Sequence, residues 1–406
     1  MVCKTTATRH RASRHLRLWA ACGLATSSLT VQATAEPLVL RADALAESQA
    51  PVGLLVLQGQ DKLRPWIDTE GLVWAGAKPS ATGDVLVLTV RLREPHGFGE
   101  VRGGRFILTT GAVRPVQMDG GWMIGRTPWG SSLEAFGGAP VVPRFGARSY
   151  DWLVGARLAQ SIFSWAKVGV SYVQRRDDGE ISNEEIGVDL AAAPARWFDL
   201  AARTAYDLTS PGIAEARVSA ATRIDSWRIE LFAAQTSPSR LLPATSLFSV
   251  LGDFPSQTLG STVKWKAAPR LDVLASGAAQ GVGDEVGYNA SLRTVLRLDD
   301  RGAGSLGLEL RRQDVSTAQW TGVRGIATQP LGRGLRFSTE VEIAAPDQAD
   351  GHGSIWPWGL MALAWRPSTG WGTGWETAAA VEAASTPVHR YETNALLRLS
   401  RTLEFR

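Results

Sequence analysis

Hydrophobic and polar residues alternate along most of the chain with a period of two. The last segment, residues 391–405, places apolar side chains at every second position, with Arg401 as the charged exception. The same alternation runs through residues 335–343, 306–310 and 86–92. Successive side chains of a strand point to opposite faces, whereas a helix would spread these charges around its circumference. The pattern therefore predicts an all-β chain whose strands have one apolar and one polar face.

Segments of about ten residues recur, separated by connections that alternate between short and long. The short connections are expected near residues 192–197, 223–227, 267–270, 297–304, 329–334 and 366–370. The longer ones are expected near residues 175–183, 207–212, 236–256, 280–285 and 344–356. Short turns at one end and longer loops at the other are typical of outer-membrane barrels. The alternation predicts a transmembrane, antiparallel up-and-down β-barrel of about 22 strands, within a range of roughly 16 to 22, and the even count places both termini at the periplasmic end.

Aromatic residues favour a membrane-spanning barrel over a soluble sandwich. Amphipathic rings collect at membrane–water interfaces, whereas the core of a sandwich would hold them at mid-strand. Six tryptophans fall near the short connections, at Trp165, Trp197, Trp227, Trp265, Trp365 and Trp371. All five tyrosines fall near the long ones, at Tyr150, Tyr172, Tyr206, Tyr288 and Tyr391.

A soluble all-β protein is the alternative interpretation of the alternation. A propeller should show a repeat of about 40–45 residues with a recurring motif, and the sequence shows none. A sandwich of this length would divide into two domains, yet no linker rich in Pro, Ser and Gly interrupts the chain. The most apolar stretch, residues 359–365, is far shorter than the roughly 20 residues of a membrane-spanning helix. In a membrane the chain would therefore have to be a closed barrel, which pairs its backbone groups between strands.

The first 35 residues have the layout of a secretory signal peptide. Five basic residues and no acidic one accompany a short apolar run at residues 18–31, and Ala33-Thr34-Ala35 is a small-x-small cleavage site. We expect cleavage after Ala35, a single barrel domain over residues 36–406, and export through the inner membrane to the outer membrane. A disordered basic tail and a lipoprotein anchored through Cys22 are the alternatives.

Removal of this leader changes both the charge and the cysteine content. The chain carries 43 basic and 39 acidic residues, and five of the basic residues lie in the leader, so the remainder is close to neutral. A nucleic-acid partner is therefore not expected. Cys3 and Cys22 also lie in the leader, so the barrel is expected to have no disulfide, thiolate metal site or haem-attachment motif.

Motifs for cofactor binding or catalysis do not occur in a usable context. Residues 302–307 match Gly-x-Gly-x-x-Gly but run into an alternating strand, whereas a nucleotide site needs a helix N-terminus there. His96, His352 and His389 lack metal-ligand spacing, and no Gly-x-Ser-x-Gly nucleophile elbow is present. We expect neither a cofactor nor a metal, and no enzymatic activity.

The end of the chain resembles the terminal assembly signal of Gram-negative outer-membrane proteins. The residues that carry this resemblance are Leu399, Leu403 and Phe405. Arg406 follows the aromatic residue, which usually ends that signal. Residues 102–108, Asp119-Gly120 and residues 132–138 resemble hairpins of porin-type and alginate-export-like barrels. The resemblance implies a channel, with outer-membrane lipid and the barrel assembly machinery as partners.

The polar faces of the strands are expected to line the interior of the barrel. Charge on the lipid face would cost about 2–4 kcal/mol per Arg or Lys near the midplane, so the charged faces should point inward. The candidate lumen-lining residues are Asp68, Glu70, Arg91, Arg93, Arg105, Arg203, Arg217, Arg228, Glu230, Glu309, Arg311, Arg324, Arg336, Glu340, Glu342, Glu382, Glu392 and Arg398. Arginine and glutamate are nearly balanced in this set, so it predicts no preference for anions or cations.

An outer-membrane pore for passive diffusion or export of small polar solutes is the function that these faces favour, because rings of charge select solutes by sign and size. Charges that pair across strands would instead fill the lumen. Two other functions stay open: a structural barrel that sheathes or anchors a periplasmic or electron-transfer partner, and a soluble secreted β-protein that binds carbohydrate. Residues 236–256 form the longest connection and are unusually apolar, which fits either a constriction inside the lumen or a loop on the rim.

Overall fold

Strands of ten to sixteen residues form wherever the sequence alternates. The computed structural model describes residues 36–47, 53–64, 66–77, 81–141, 151–237, 256–282, 285–300, 302–315, 318–348, 354–367, 373–385 and 391–405. The strands are β1 (Glu36–Glu47), β2 (Gly53–Arg64), β3 (Ile67–Ala77), β4 (Ala81–Arg93), β5 (Gly99–Leu108), β6 (Val116–Arg126), β7 (Ser131–Pro140), β8 (Trp152–Phe163), β9 (Ala166–Asp177), β10 (Glu180–Ala195), β11 (Phe198–Asp207), β12 (Gly212–Ile224), β13 (Trp227–Thr236), β14 (Ser256–Ala268), β15 (Leu271–Val282), β16 (Glu285–Arg297), β17 (Ser305–Val315), β18 (Ala318–Gly332), β19 (Leu335–Pro346), β20 (Trp356–Trp365), β21 (Trp375–Ala384) and β22 (Glu392–Phe405). The predicted all-β class is confirmed.

The strands form one closed sheet. Each strand pairs antiparallel with its neighbours in the sequence, and β1 also pairs with β22. Leu38 lies opposite Phe405, and Glu47 lies opposite Leu396. The prediction of an up-and-down barrel of about 22 strands is confirmed by this 22-stranded closed sheet, which pairs its first strand with its last and so has no free edge strand. No helix in the described part of the chain is long and apolar enough to cross a membrane.

The end of the barrel at which the described chain begins and ends is called the terminal end, and the opposite one the far end. The terminal end holds Glu36 and Phe405, and the far end holds the connections from each odd-numbered strand to the next even-numbered one. Thr236 of β13 and Ser256 of β14 lie opposite each other at the far end. Placement of the terminal end in the periplasm stays a prediction.

Loop lengths separate the two ends less sharply than the sequence predicts. Residues 175–183, expected to form a long loop, contain only a two-residue turn at Asp178 and Gly179. Both residues have a positive φ, 49° and 82°, which is the backbone conformation of a tight hairpin turn. At the terminal end, the connection between β20 and β21 spans residues 366–374 and is longer than expected.

Cross-strand register divides the side chains into an outer and an inner face. Residues directly opposite each other in neighbouring strands share a face, so one face can be followed around the whole barrel. One face carries large apolar side chains that stay exposed, such as Leu88 (61%), Leu259 (67%) and Val286 (83%). Most of the buried side chains lie on the other face, which is the concave inner one because side chains converge there; Gln117, opposite Ile107 on the outer face, is an exception. An apolar outer face fits contact with lipid.

The interior contains a small hydrophobic core on one side of the barrel. Between β5 and β6, residues 109–115 leave the wall and fold into the lumen; we call them the inward segment. Val113 of this segment packs in a buried cluster with Phe106, Leu108, Val116, Met118, Phe136, Leu153 and Val173. These residues belong to β5–β9 and the inward segment, so the inner packing is one-sided.

Candidate functional site: the inner face of the barrel

All but one of the candidate lumen-lining residues lie on the inner face. Opposite pairs that share this face include Asp68 with Arg91, Arg203 with Arg217, and Glu309 with Arg324. By the same register the inner face also carries Glu70, Arg93, Arg228, Glu230, Arg311, Arg336, Glu340, Glu342, Glu382, Glu392 and Arg398. The alternation of polar positions is therefore a sound guide to the side of the wall on which a side chain lies.

Arg105 is the exception, because it lies on the outer face. It sits opposite Leu88 of β4 and Asp119 of β6, whereas its neighbour Phe106 is fully buried on the inner face. Its guanidinium donates to the Asp119 carboxylate at 2.7 Å and to the Asp84 carboxylate at 3.0 Å. Charge alone suggested an inward position, and Asp119, which lies on the same outer face, explains how the arginine is accommodated there.

Ion pairs join inner-face charges of different strands. Nη2 of Arg93 on β4 lies 3.2 Å from Oδ2 of Asp68 on the adjacent strand β3, and Nη1 of Arg311 on β17 lies 2.9 Å from Oε1 of Glu342 on β19, across the intervening strand β18. The side chains of these pairs are partly exposed, so solvent screens them and they add little to stability. The inner face is thus lined by charges of both signs that remain in contact with the lumen.

Three cationic side chains lie in a row on the inner face near the terminal end. Arg223 of β12, Arg228 of β13 and Lys264 of β14 lie directly opposite one another on the inner face. Like charges in this arrangement destabilise a sheet. Asp199 lies 3.0 Å from Arg223 and Glu230 lies 3.6 Å from Arg228, which offsets part of the repulsion. Positive charge is in excess along this row.

A buried ion network holds the start of the inward segment against the wall. Arg157 of β8 lies between Glu134 of β7 and Asp189 of β10. Its guanidinium donates to Glu134 at 2.8 Å and to the two carboxylate oxygens of Asp189 at 2.6 and 3.0 Å. The hydroxyl of Thr110 donates to Glu134 at 2.5 Å. Charge-assisted hydrogen bonds therefore satisfy the buried guanidinium and tie Thr110 to the same carboxylate.

A second buried network holds the end of the inward segment. Arg114 donates to both carboxylate oxygens of Glu185 on β10, with Nε 3.3 Å from Oε2. Arg175 of β9 is fully buried, approaches the same carboxylate at 3.8 Å and donates to Asn183 at 2.9 Å. Removing one member of such a buried group would leave the others charged and desolvated. The segment is thus fixed at both ends by charges that water does not reach.

Glycines make the close approach of the inward segment to the wall feasible. Gly111 has a φ of +51°, and a Cβ at this position would lie 2.3 Å from Nε of Arg157. On the wall, a Cβ at Gly187 of β10 would lie 2.6 Å from the Cβ of Ala112. Only glycine allows this backbone conformation and these distances without displacement of the neighbours.

The inward segment narrows the lumen along β7–β10. Residues 236–256 were expected to form either a constriction or a loop on the rim, and most of that connection, residues 238–255, lies outside the described residues. Glu134, Arg157 and Asp189 were not among the predicted lumen-lining residues. Their alternating positions in β7, β8 and β10 were the signal that could have found them. Their contact with Thr110 and Gly111 had no local signal, because it joins residues far apart in the chain.

Three carboxylates at the far end approach each other closely enough to share a cation. Oxygen atoms of Asp151, Asp177 and Asp178 lie within 4.8 Å of one another. The backbone N–H of Gly179 donates to Asp151 at 3.2 Å. Asp151 is half-buried and the other two residues are exposed, and exposed acidic groups of this kind are common without a metal.

Comparison of sequences finds no relative: no family model matches the chain, and no curated protein matches it. Comparison of structures does find similar folds. A cryo-EM structure of the E. coli P pilus tip assembly intermediate PapC–PapD–PapK–PapG matches with a TM-score of 0.54 at 10% identity, covering 93% of this chain and 62% of that one.

Two further solved structures match less closely. The translocation pore of the P pilus usher PapC has a TM-score of 0.46 at 8% identity, with 92% of this chain and 100% of that chain covered. OccK2 (OpdF) of Pseudomonas aeruginosa, in complex with glucuronate, has a TM-score of 0.44 at 11% identity, with 92% and 98% covered. At these identities the likeness of the P pilus assembly intermediate shows the fold alone, and that fold is a closed antiparallel β-barrel.

Proposed function

We propose that this chain is an outer-membrane pore through which small polar solutes diffuse passively or are exported. The proposal rests on one observation: the outer and inner faces of the closed 22-stranded barrel differ in polarity. Apolar side chains lie on the outer face and charged pairs on the inner one. A barrel pairs its strands with one another and can therefore stand in lipid, while a polar interior admits water.

Features of the inner face support selection among solutes. A wall of 22 strands encloses a wide lumen, and the inward segment narrows it on one side. The row of Arg223, Arg228 and Lys264 and the ion pairs around it place charge along the path of a solute. Rings of charged side chains act as filters in membrane pores.

The last strand supports insertion into the outer membrane as part of the same proposal. Leu397, Leu399 and Leu403 share the outer face of β22 and stay exposed there. This strand pairs with β1, and the residues that resemble the terminal assembly signal therefore lie where the barrel closes. Export through the inner membrane by a signal peptide cleaved after Ala35 completes the proposed route.

Single-channel recording in a planar lipid bilayer tests the pore. Purified protein without residues 1–35 should insert and give stepwise currents, because a water-filled lumen conducts ions. Heat-modifiable migration on a gel shows that the sample is a folded barrel. Folded, inserted protein that gives no current steps would contradict the pore.

A further inference from the structure

The barrel wall is incompletely paired between β4 and β5. Strand β4 pairs with β3 along nearly all its length, from Ala81 to Leu92. With β5 it forms only the pairs from Leu88–Arg105 to Arg93–Glu100. Within the described part of the chain, residues 81–87 therefore have no strand partner on the β5 side. This stretch of β4, together with Arg105 and Gln117 across from it, is called the seam.

The seam exists because the chain leaves the wall at that point. Strand β5 ends at Leu108, and the inward segment turns into the lumen instead of continuing beside β4. Side chains take the place of the lost backbone pairs. Nη1 of Arg105 donates to the carbonyl oxygen of Val85 at 2.9 Å, and Nε2 of Gln117 donates to the carbonyl oxygen of Leu86 at 2.6 Å.

Side chains hold the seam more weakly than a strand would. A backbone ladder fixes every residue of a strand, whereas two side chains can rotate away at the cost of their hydrogen bonds to the two carbonyl oxygens and of the contact between Arg105 and Asp84. Strand β4 also has a bulge beside the seam, where the register with β3 shifts between Leu72 and Val73. A bulge increases the local twist and bends the strand, which favours separation from the neighbouring strand.

The inner face beside the seam carries a cluster of apolar side chains. The residues of this apolar patch are Val56, Leu72, Trp74 and Val87, which pair across β2, β3 and β4. All four are half-buried. Asp84 lies opposite Trp74, but its carboxylate accepts from Arg105 and from the backbone N–H of Val85. Contact of these side chains with an apolar ligand would remove apolar surface from water, which is favourable.

The outer face beside the seam carries apolar side chains as well. Leu88 and Ile107 are 61% and 51% exposed there. The Arg105–Asp119 ion pair lies on this face level with Leu88, whereas Ile107 lies nearer the far end. Apolar side chains therefore lie on both sides of the wall at the seam, and the charged groups of Arg105, Asp84 and Asp119 separate them.

We propose that the seam is a lateral portal through which an apolar chain of the fatty-acyl type passes between the lumen and the membrane. The proposal rests on the chain being a membrane barrel, as proposed above, but it does not depend on ion conduction. Arg105 and Gln117 close the portal and swing aside when a chain enters. The apolar patch then receives the chain on the inner side.

Photo-crosslinking with a fatty acid tests the portal. Folded protein in phosphatidylcholine vesicles is irradiated with diazirine-bearing palmitic acid, and the crosslinked residues are mapped by mass spectrometry. Crosslinks are expected at the patch residues Trp74 and Val87 as well as at Leu88 on the outer face. The inner-face serines Ser276 and Ser291, far from the seam, should stay unlabelled.

Two outcomes would overturn the portal in protein that conducts normally. Crosslinks confined to the outer face would show that the chain does not cross the wall. Equal labelling of Val87 and Ser276 would show that it reaches the lumen through an open end of the barrel. A barrel without conductance would instead count against the pore, so the two failures are distinguishable.

A variant of the seam extends the test. Arg105→Ala combined with Gln117→Ala removes the side chains that close the portal, so the ratio of patch crosslinks to outer-face crosslinks should rise. Arg312→Ala is the matched control, because Arg312 also pairs with two aspartates, Asp314 and Asp347, away from the seam. Heat-modifiable migration verifies that both variants fold. An unchanged ratio in the folded double variant would overturn the gating role of the two residues and with it the portal.

Discussion

Gly111 fixes the position of the inward segment at the scale of a single residue. Its φ of +51° turns the chain, and the absence of a side chain lets its backbone lie against Arg157 and Asp189. A Cβ here would lie 2.3 Å from Nε of Arg157 and 2.4 Å from Oδ2 of Asp189. The wall behind it is buried and charged and has no room to yield.

Gly111→Ala should displace the inward segment and raise the single-channel conductance. The added methyl group cannot be accommodated without breaking contacts of Arg157, so the segment should move away from the wall or lose its order. Gly179→Ala is the control, since Gly179 also has a positive φ, +82°, but nothing lies within 4 Å of its Cβ position. Both changes carry a backbone strain of about 1–3 kcal/mol, so only the contact differs. Equal conductance of the two variants would contradict the role of the segment as a constriction.

The alternation of residues carries information about the face on which a side chain lies, but not about its contacts with distant segments. Alternation assigns Arg203 or Glu309 to the inner face because the period of a strand is fixed. Arg105 was assigned by its charge rather than by its position relative to Arg102, and the structure places it outside. The contact of Thr110 with Glu134 could not be predicted, because it depends on where a connection folds after the wall has formed.

At the scale of elements, the strands were more predictable than the connections. Alternating segments could only be strands, and the short hairpin pairings follow from their order in the chain. Connections depend on single backbone angles: the positive φ of Asp178 and Gly179 turns an expected loop into a two-residue turn. Strand β10 continues to Ala195 through a register shift after Ala192, so the short connection predicted near residues 192–197 is confined to Arg196 and Trp197. The inward path of residues 109–115 had no periodic signal at all.

The cationic row across β12, β13 and β14 leads to a prediction for ion selectivity. Lys264→Glu replaces the last of three opposed cations by an anion, so the pore should become more permeable to cations. The reversal potential in a potassium chloride gradient measures this shift. Arg401→Glu makes the same change of charge on the outer face, where Arg401 stacks on Trp375 at 4.6 Å, and should leave the reversal potential unchanged. A shift of equal size in both variants would show that the row does not line the conducting path.

At the scale of the whole molecule, closure joins the two ends of the chain. Asp43 of β1 accepts from Arg398 at 2.8 Å and from the hydroxyl of Ser400, both on β22. It also accepts from Arg41 at 2.8 Å on its own strand. These bonds connect residues 355 and 357 positions apart in the sequence, so they form only when the barrel closes.

Asp43→Ala should weaken the pairing of β1 with β22, whereas pairing within the individual hairpins should be unaffected. Loss of these charge-assisted bonds should lower the free energy of unfolding by on the order of 2 kcal/mol and slow the appearance of the heat-modifiable folded form in vesicles. Asp272→Ala is the control, because Asp272 pairs with Arg297 at 2.5 Å between the adjacent strands β15 and β16. Its pair can form before the barrel closes, so folding should slow less. Equal slowing by the two variants would contradict a special role of the β1–β22 contacts.

The one-sided core of the barrel makes its wall unequal in mechanical strength. Side chains of β5–β9 and the inward segment are packed against each other in the interior, whereas β13–β21 rely on backbone pairing and solvent-screened ion pairs. Local opening costs least where few apolar contacts must be broken. Strands β13–β21 should therefore undergo larger local fluctuations, whereas the opposite side of the barrel should stay rigid. A solute or partner that strains the barrel would deform it towards an ellipse, always along the same axis.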